Sequence, residues 1–111
     1  MPDYNSDMAN IIEDGAQLIL RLNLLEKIGA FHGNLVVDKS KLINKKIHSN
    51  PWSAKVLKGV RSPGTGFPYL ILLGTMRYRG GKDFTAIYKR KPVTVYEFKD
   101  TKYKRWIVTI N

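Results

Sequence analysis

A chain of 111 residues and 12.7 kDa, 43% hydrophobic and 25% charged, carries enough apolar material for a single core and is not disordered by composition. It has no Cys, which excludes a thiol nucleophile, a Cys-ligated zinc site and a disulfide framework; its short apolar runs and polar start (Met1 to Ser6) offer no transmembrane helix or signal peptide, so a soluble cytoplasmic protein is expected. Residues 1–38 hold six acids against Arg21 and Lys27, while residues 39–111 hold seventeen bases against Asp83, Glu97 and Asp100; the net +10 favours anionic partners, although a surface merely solvated by Lys reads the same way.

No repeat, low-complexity tract or linker divides the chain, so residues 13–111 read as one domain behind a flexible segment, residues 1–12. Asp14-Gly15 is turn chemistry, and Ala16 to Leu22 alternates Leu18, Leu20 and Leu22 with Gln17, Ile19 and Arg21. That is the period of a strand; a helix through Leu18, Leu22 and Leu25 is the rival. Asn23 with Glu26 three residues on has the form of a helix N-cap, opening a short helix over residues 24–29 that Gly29 ends. Asn34 to Asp38 and Leu42 to His48 are strand candidates, and Pro51 to Lys58, with Trp52, is irregular or one helical turn.

Arg61-Ser-Pro-Gly-Thr-Gly66 is rich enough in glycine to turn several N–H groups towards an anion, but it lacks the Gly-Lys-Ser/Thr ending of a nucleotide loop and leads into a strand. It reads as a tight bend, with Pro68 fixing entry to the apolar run Tyr69 to Leu73, which continues to Tyr78. Gly80-Gly81 supplies positive φ at both centres of a tight hairpin; a two-residue loop there sets Arg77 against Phe84 and Thr75 against Ala86. Asp83 to Lys89 is the return strand, and Arg90-Lys91-Pro92 makes a longer second turn because neither Arg nor Lys favours positive φ. Val93 to Phe98 is β-branched and aromatic, Lys99 to Lys102 is a polar turn, and Arg105 to Ile110 places Trp106, Val108 and Ile110 on one face. The last four strands form an antiparallel meander, and the total is seven short strands of a mainly β small barrel or sandwich.

The stretch Gly59-Val-Arg61-Ser-Pro-Gly64-Thr-Gly66-Phe-Pro68, then Gly74-Thr75, then Gly81-Lys-Asp-Phe-Thr-Ala86, resembles a bacterial family of pleckstrin-homology-like domains, largely of unassigned function. Leu24 to Gly33 and Asn50-Pro51-Trp52 resemble it too, so the likeness runs from about residue 13 to residue 110. The resemblance implies a seven-stranded, strongly bent antiparallel barrel. Such barrels are closed by a C-terminal amphipathic helix, which does not follow the last strand here; a longer natural chain, the helix near 24–29 or a partner would plug the end. Phosphoinositide-binding members carry clustered Lys and Arg at the first hairpin, whereas Asn23 to Gly33 holds Lys27 alone, so inositol-phosphate recognition is not implied.

His32 and His48 are the only imidazoles, and no pattern ties either to a nucleophile or an orienting acid. His48 sits beside Lys45 and Lys46, a poor place for a metal cation, and the nine acids are too few and too concentrated near the N-terminus for a ligand cluster. No enzymatic activity, cofactor, metal or small-molecule substrate is expected. The basic hairpins are the binding candidates: Arg77, Arg79 and Lys82 around the first turn, Lys89, Arg90 and Lys91 at the second, Lys102 and Arg105 at the third. The first and third turns fall at the same end of a meander. Tyr78, Tyr88, Tyr96 and Tyr103 are interleaved with them and suit base stacking or, equally, half-buried strand faces. Phe31, Phe67 and Tyr69 are groove or core candidates. The expected function is a non-enzymatic pleckstrin-homology-like binding module that engages a protein partner or a second copy of itself, with a basic rim aiding contact with anionic surfaces. The alternatives are nonspecific nucleic-acid binding and docking on an anionic inner-membrane surface.

Overall fold

The computed structural model describes residues 9–53 and 56–109. They form nine strands: β1 (Asn10–Asp14), β2 (Gln17–Arg21), β3 (Leu35–Asp38), β4 (Leu42–His48), β5 (Val60–Phe67), β6 (Ile71–Tyr78), β7 (Gly81–Tyr88), β8 (Val93–Phe98) and β9 (Arg105–Thr109). A seven-residue helix, α1 (Leu24–Ala30), lies between β2 and β3, and a 3-10 turn, Lys39–Lys41, joins β3 to β4. The chain is mainly β, as its alternating and β-branched runs dictate.

The strands build two sheets, one in the order β1-β2-β3, the other β4-β8-β9-β7-β6-β5. Leu18, Leu20, Leu22 and Leu35 of the small sheet and its flanks meet Leu73, Phe84, Ala86, Trp106 and Val108 on one face of the large sheet. The opposite face of the large sheet carries Leu72, Met76, Ile87, Val93, Val95 and Ile107, covered by Val56 of the β4–β5 connection. Strict alternation along β7 and β9 produces this division: Phe84, Ala86, Trp106 and Val108 point one way, Ile87 and Ile107 the other.

Several expectations change. The terminal strands are not an antiparallel meander, because β9 inserts between β7 and β8 and runs parallel to β7, pairing Phe84 with Trp106 and Ala86 with Val108. Nine strands in two sheets, one of them mixed, replace the seven-stranded antiparallel barrel, and neither sheet closes on itself among the described residues. The β6–β7 turn is centred on Arg79-Gly80, with Tyr78 opposite Gly81, so Thr75 faces Phe84 and Arg77 faces Lys82. Only Gly80 of the glycine pair takes a positive φ (95°), and Gly81 opens the return strand. Arg61 to Gly66 is a strand, not a bend. Pro63 is tolerated because β5 is an edge with an irregular register between Arg61 and Gly64. There Gly64 and Gly74 let two backbones approach so closely that a Cβ on Gly74 would press into the Pro63 carbonyl. β1 begins at Asn10, inside the segment expected to precede the domain. Ile110, expected beside Val108, lies outside the described residues, as do residues 1–8.

The helix follows its capping signals. Asn23 accepts from the Glu26 N–H at 2.7 Å, while Glu26 Oε1 accepts from the Asn23 N–H at 2.8 Å. Its end falls later than Gly29, at Phe31, which takes the left-handed conformation (φ 55°). Gly29 instead lies against Leu73 and Thr65, where Thr65 Oγ1 donates to its carbonyl at 2.8 Å and fastens the helix to β5 and β6.

Candidate functional site

The pairing fixes two ends of the large sheet. Ile71 opposite Tyr88 places the β5–β6 turn beside the β7–β8 connection, with the Lys89 N–H donating to the Leu70 carbonyl at 2.8 Å. Tyr78 opposite Gly81 and Asp83 beside Arg105 place the β6–β7 turn and the β8–β9 connection at the other end, where the Lys104 N–H donates to the Lys82 carbonyl at 2.8 Å. The eight basic residues expected to bind a partner therefore divide into groups.

Lys89, Arg90 and Lys91 stand at the first end, all exposed. Arg90 lies 4.6 Å from the ring centroid of Tyr69, which sits at φ 63° in the β5–β6 turn, and the Tyr69 ring lies 5.7 Å from that of Trp52. Trp52 Nε1 donates to the Lys89 carbonyl at 2.6 Å, so three separate connections are tied together here. Phe67, Tyr69 and Leu70 remain largely exposed at this tip. Thr65 and Phe67 share a face of β5 by alternation, and that is the face on which Gly29 of α1 rests. α1 is amphipathic in an inverted sense: it buries Glu26 and Ala30 and exposes Leu24, Leu25 and Ile28, followed by Phe31. The reason is the capping carboxylate. Glu26 Oε2 accepts from the Ala9 N–H at 2.6 Å and from the Tyr88 hydroxyl at 2.5 Å, which pins the acid inward and turns the leucines out. Seven large apolar side chains between 56% and 77% exposed thus lie on two segments, α1 with Phe31 and the β5–β6 turn, which meet where Gly29 rests on Thr65. Lys27 lies on α1, and Lys89 to Lys91 lie beside the β5–β6 turn. α1 packs on β5 and β6 through Gly29 and Ala30, with its leucines turned outward.

Arg77, Arg79, Lys82 and Lys102 gather at the second end. Lys82 and Lys102 Nζ lie 4.9 and 5.9 Å from the same Tyr103 ring centroid. Burial and the neighbouring Lys102 and Arg77 cations push the Lys82 ammonium below its ordinary pKa. Arg105 stands apart from both groups. Its Nη2 is 2.6 Å from Asp83 Oδ2 and also donates to the Val56 carbonyl at 2.6 Å, in a partly buried position on the opposite face of the sheet. Its guanidinium thus holds β9 to β7 and to the β4–β5 connection.

The four interleaved tyrosines take buried or half-buried positions. Tyr96 and Tyr103 are buried, the Tyr78 hydroxyl donates to Asp83 at 2.7 Å, and that of Tyr88 is held by Glu26. His32 packs edge-on against Phe84 and Tyr103, its Nδ1 2.7 Å from the Gly33 carbonyl. His48 lies on β4, near Asn44, Lys46 and Glu97. Among the described residues no three His, Asp or Glu side chains gather as metal ligands, and no helix is long and apolar enough to cross a membrane.

Beside Tyr103 a cavity of about 180 Å³ opens between β3 and the β8–β9 connection, with Phe98 and Trp106 in its wall and Lys102 at its lip. Sequence reasoning missed it, because nothing local brings residues near 35 beside residues near 102. The exposed face of α1 had a visible signal, the spacing of Leu24, Ile28 and Phe31, but the burial of Glu26 that reverses its direction is a tertiary effect. Comparison with protein-family models, with curated proteins and with solved structures finds no match to this chain.

Proposed function

We propose that this chain is a non-catalytic docking module that settles on anionic lipid surfaces through the end formed by α1, the β5–β6 turn and the β7–β8 connection. The observation that carries this is the coincidence there of seven exposed Leu, Ile, Phe and Tyr side chains with Lys27, Lys89, Arg90 and Lys91. Exposed apolar side chains accompanied by cations are the composition of an interfacial membrane contact. Each Lys or Arg held near an anionic surface contributes about 1 kcal/mol, so the four flanking cations supply about 4 kcal/mol before any apolar side chain enters the interface. The same charges oppose self-association through this end, since a second copy would bring Lys and Arg against Lys and Arg. The pleckstrin-homology-like likeness rests on the sequence motifs, and the docking reading stands without it.

Sedimentation with vesicles of phosphatidylglycerol and phosphatidylcholine, against vesicles of phosphatidylcholine alone, tests the proposal. The protein pellets with the anionic vesicles, and Ile28→Asp and Phe67→Asp, both at exposed positions, release it while leaving its thermal unfolding unchanged. Equal behaviour with both vesicles, or absence of binding to either, overturns the reading. So does a dimer in light scattering that the same two substitutions dissociate.

A further inference from the structure

A second surface, between β3 and the β8–β9 connection, has the construction of a strand-receiving groove. Among the described residues β3 is an edge of the small sheet, paired to β2 along one side only. The cavity beside it touches Leu35, Val36 and Val37, three successive residues. Side chains of one strand alternate between its faces, so three in a row reach the same space only if the backbone edge itself borders it. Unpaired N–H and C=O groups on an exposed strand are a template for another extended chain. The volume, about 180 Å³, is below the roughly 300–1,000 Å³ of sites for whole drug-sized ligands and suits one apolar side chain. Phe98 and Trp106 make its wall apolar, Lys102 lines it, and no carboxylate among the described residues does. Tyr103 also lines it, and the Nζ atoms of Lys82 and Lys102 lie 4.9 and 5.9 Å from the centroid of that ring.

We infer that β3 accepts an extended acidic segment of a partner protein as a fourth strand, with one apolar side chain seated beside Phe98 and Trp106 and a carboxylate placed at Lys102 and Lys82. In an extended segment, residues two apart share a face, so the recognised pattern is an apolar residue two positions from Asp or Glu. Main-chain pairing supplies the adhesion, and the pocket and the two ammonium groups supply the selection. The two proposals rest on different residues, and the failure of either leaves the other standing.

The test pans a display library of random ten-residue peptides against the full chain and measures the enriched peptides, synthesised singly, by fluorescence anisotropy and amide hydrogen exchange. The peptides recovered carry an apolar residue two positions from an acid, and they slow exchange of β3 amides within residues 35–38. Lys102→Glu, at an exposed position outside the core, weakens them by at least about tenfold. Lys102→Ala weakens them less. Val37→Arg, which fills the groove, abolishes binding, and unfolding curves verify that each variant is folded. Enrichment of peptides without an acid, indifference to Lys102→Glu, or protection of β4 or β5 amides in place of β3 overturns the inference. Recovery of no peptide does so as well, and so does concentration-dependent self-association that Val37→Arg removes.

Discussion

Arg105 illustrates how a residue type misleads when its neighbours are unknown. In the sequence it is one more base among Lys99, Lys102 and Lys104; in the fold its guanidinium is spent on Asp83 and the Val56 carbonyl. Removing one partner of a buried pair strands the other, so Arg105→Ala is expected to lower stability in urea by about 3–5 kcal/mol. Asp83→Ala in the same chain recovers part of that loss, and a double-mutant cycle measures how much. A loss of partner binding with unaltered stability would return Arg105 to the binding surface. Tyr78 donates to the same carboxylate. Burial, then the hydrogen bond to Asp83, raises its pKa to about 12. The unfolded phenol ionises near pH 10, as free Tyr does. The folded form therefore favours the neutral phenol, and this contribution, full below pH 10, is lost as pH rises from about 10 towards 12. Tyr78→Phe, which has no proton to lose, should unfold with a shallower alkaline decline between pH 9.5 and 12 in chemical denaturation (about these limits).

Elements differ in how far they were readable. β2, β4 and β8 announce themselves through alternation or β-branching, and α1 through Asn23 and Glu26, because each of those signals is local. β5 does not, since Pro63, Gly64 and Gly66 spell a bend; their purpose emerges only when β6 is laid alongside and Gly74 meets the Pro63 carbonyl. The neighbour of β9 is equally hidden, because no residue of Arg105–Thr109 encodes a preference for β7 over another partner. The end proposed to meet lipid was half legible: Lys89 to Lys91 stood out by charge, whereas the outward leucines of α1 depend on Tyr88 and Ala9 capturing Glu26. Two glycines separate these kinds of constraint. Gly74→Ala places a methyl against backbone at φ 135° and is expected to cost about 3 kcal/mol. Gly80→Ala, at φ 95° with open space around it, should cost only about 1 kcal/mol. Thermal unfolding of the two variants gives the order, and a larger loss at Gly80 would mean that β5 and β6 are not so close.

At the scale of the whole molecule, opposed surfaces share one strongly basic chain, and ionic strength distinguishes what each contributes. Raising salt from about 0.1 M to about 1 M shortens the screening length from about 10 Å to about 3 Å. Affinity for anionic vesicles should fall steeply over that range, whereas thermal stability, carried by the two apolar clusters, should move little; a parallel collapse of both would show that the cations hold the fold itself. β9 sits between two parts of the large sheet, joining β8 and β4 on one side to β7, β6 and β5 on the other. Until β9 is in place, those parts are two unjoined pieces of sheet with bare flanks. Insertion of that single strand covers both flanks at once, and any partly folded species that lacks it offers two edges for pairing with other chains.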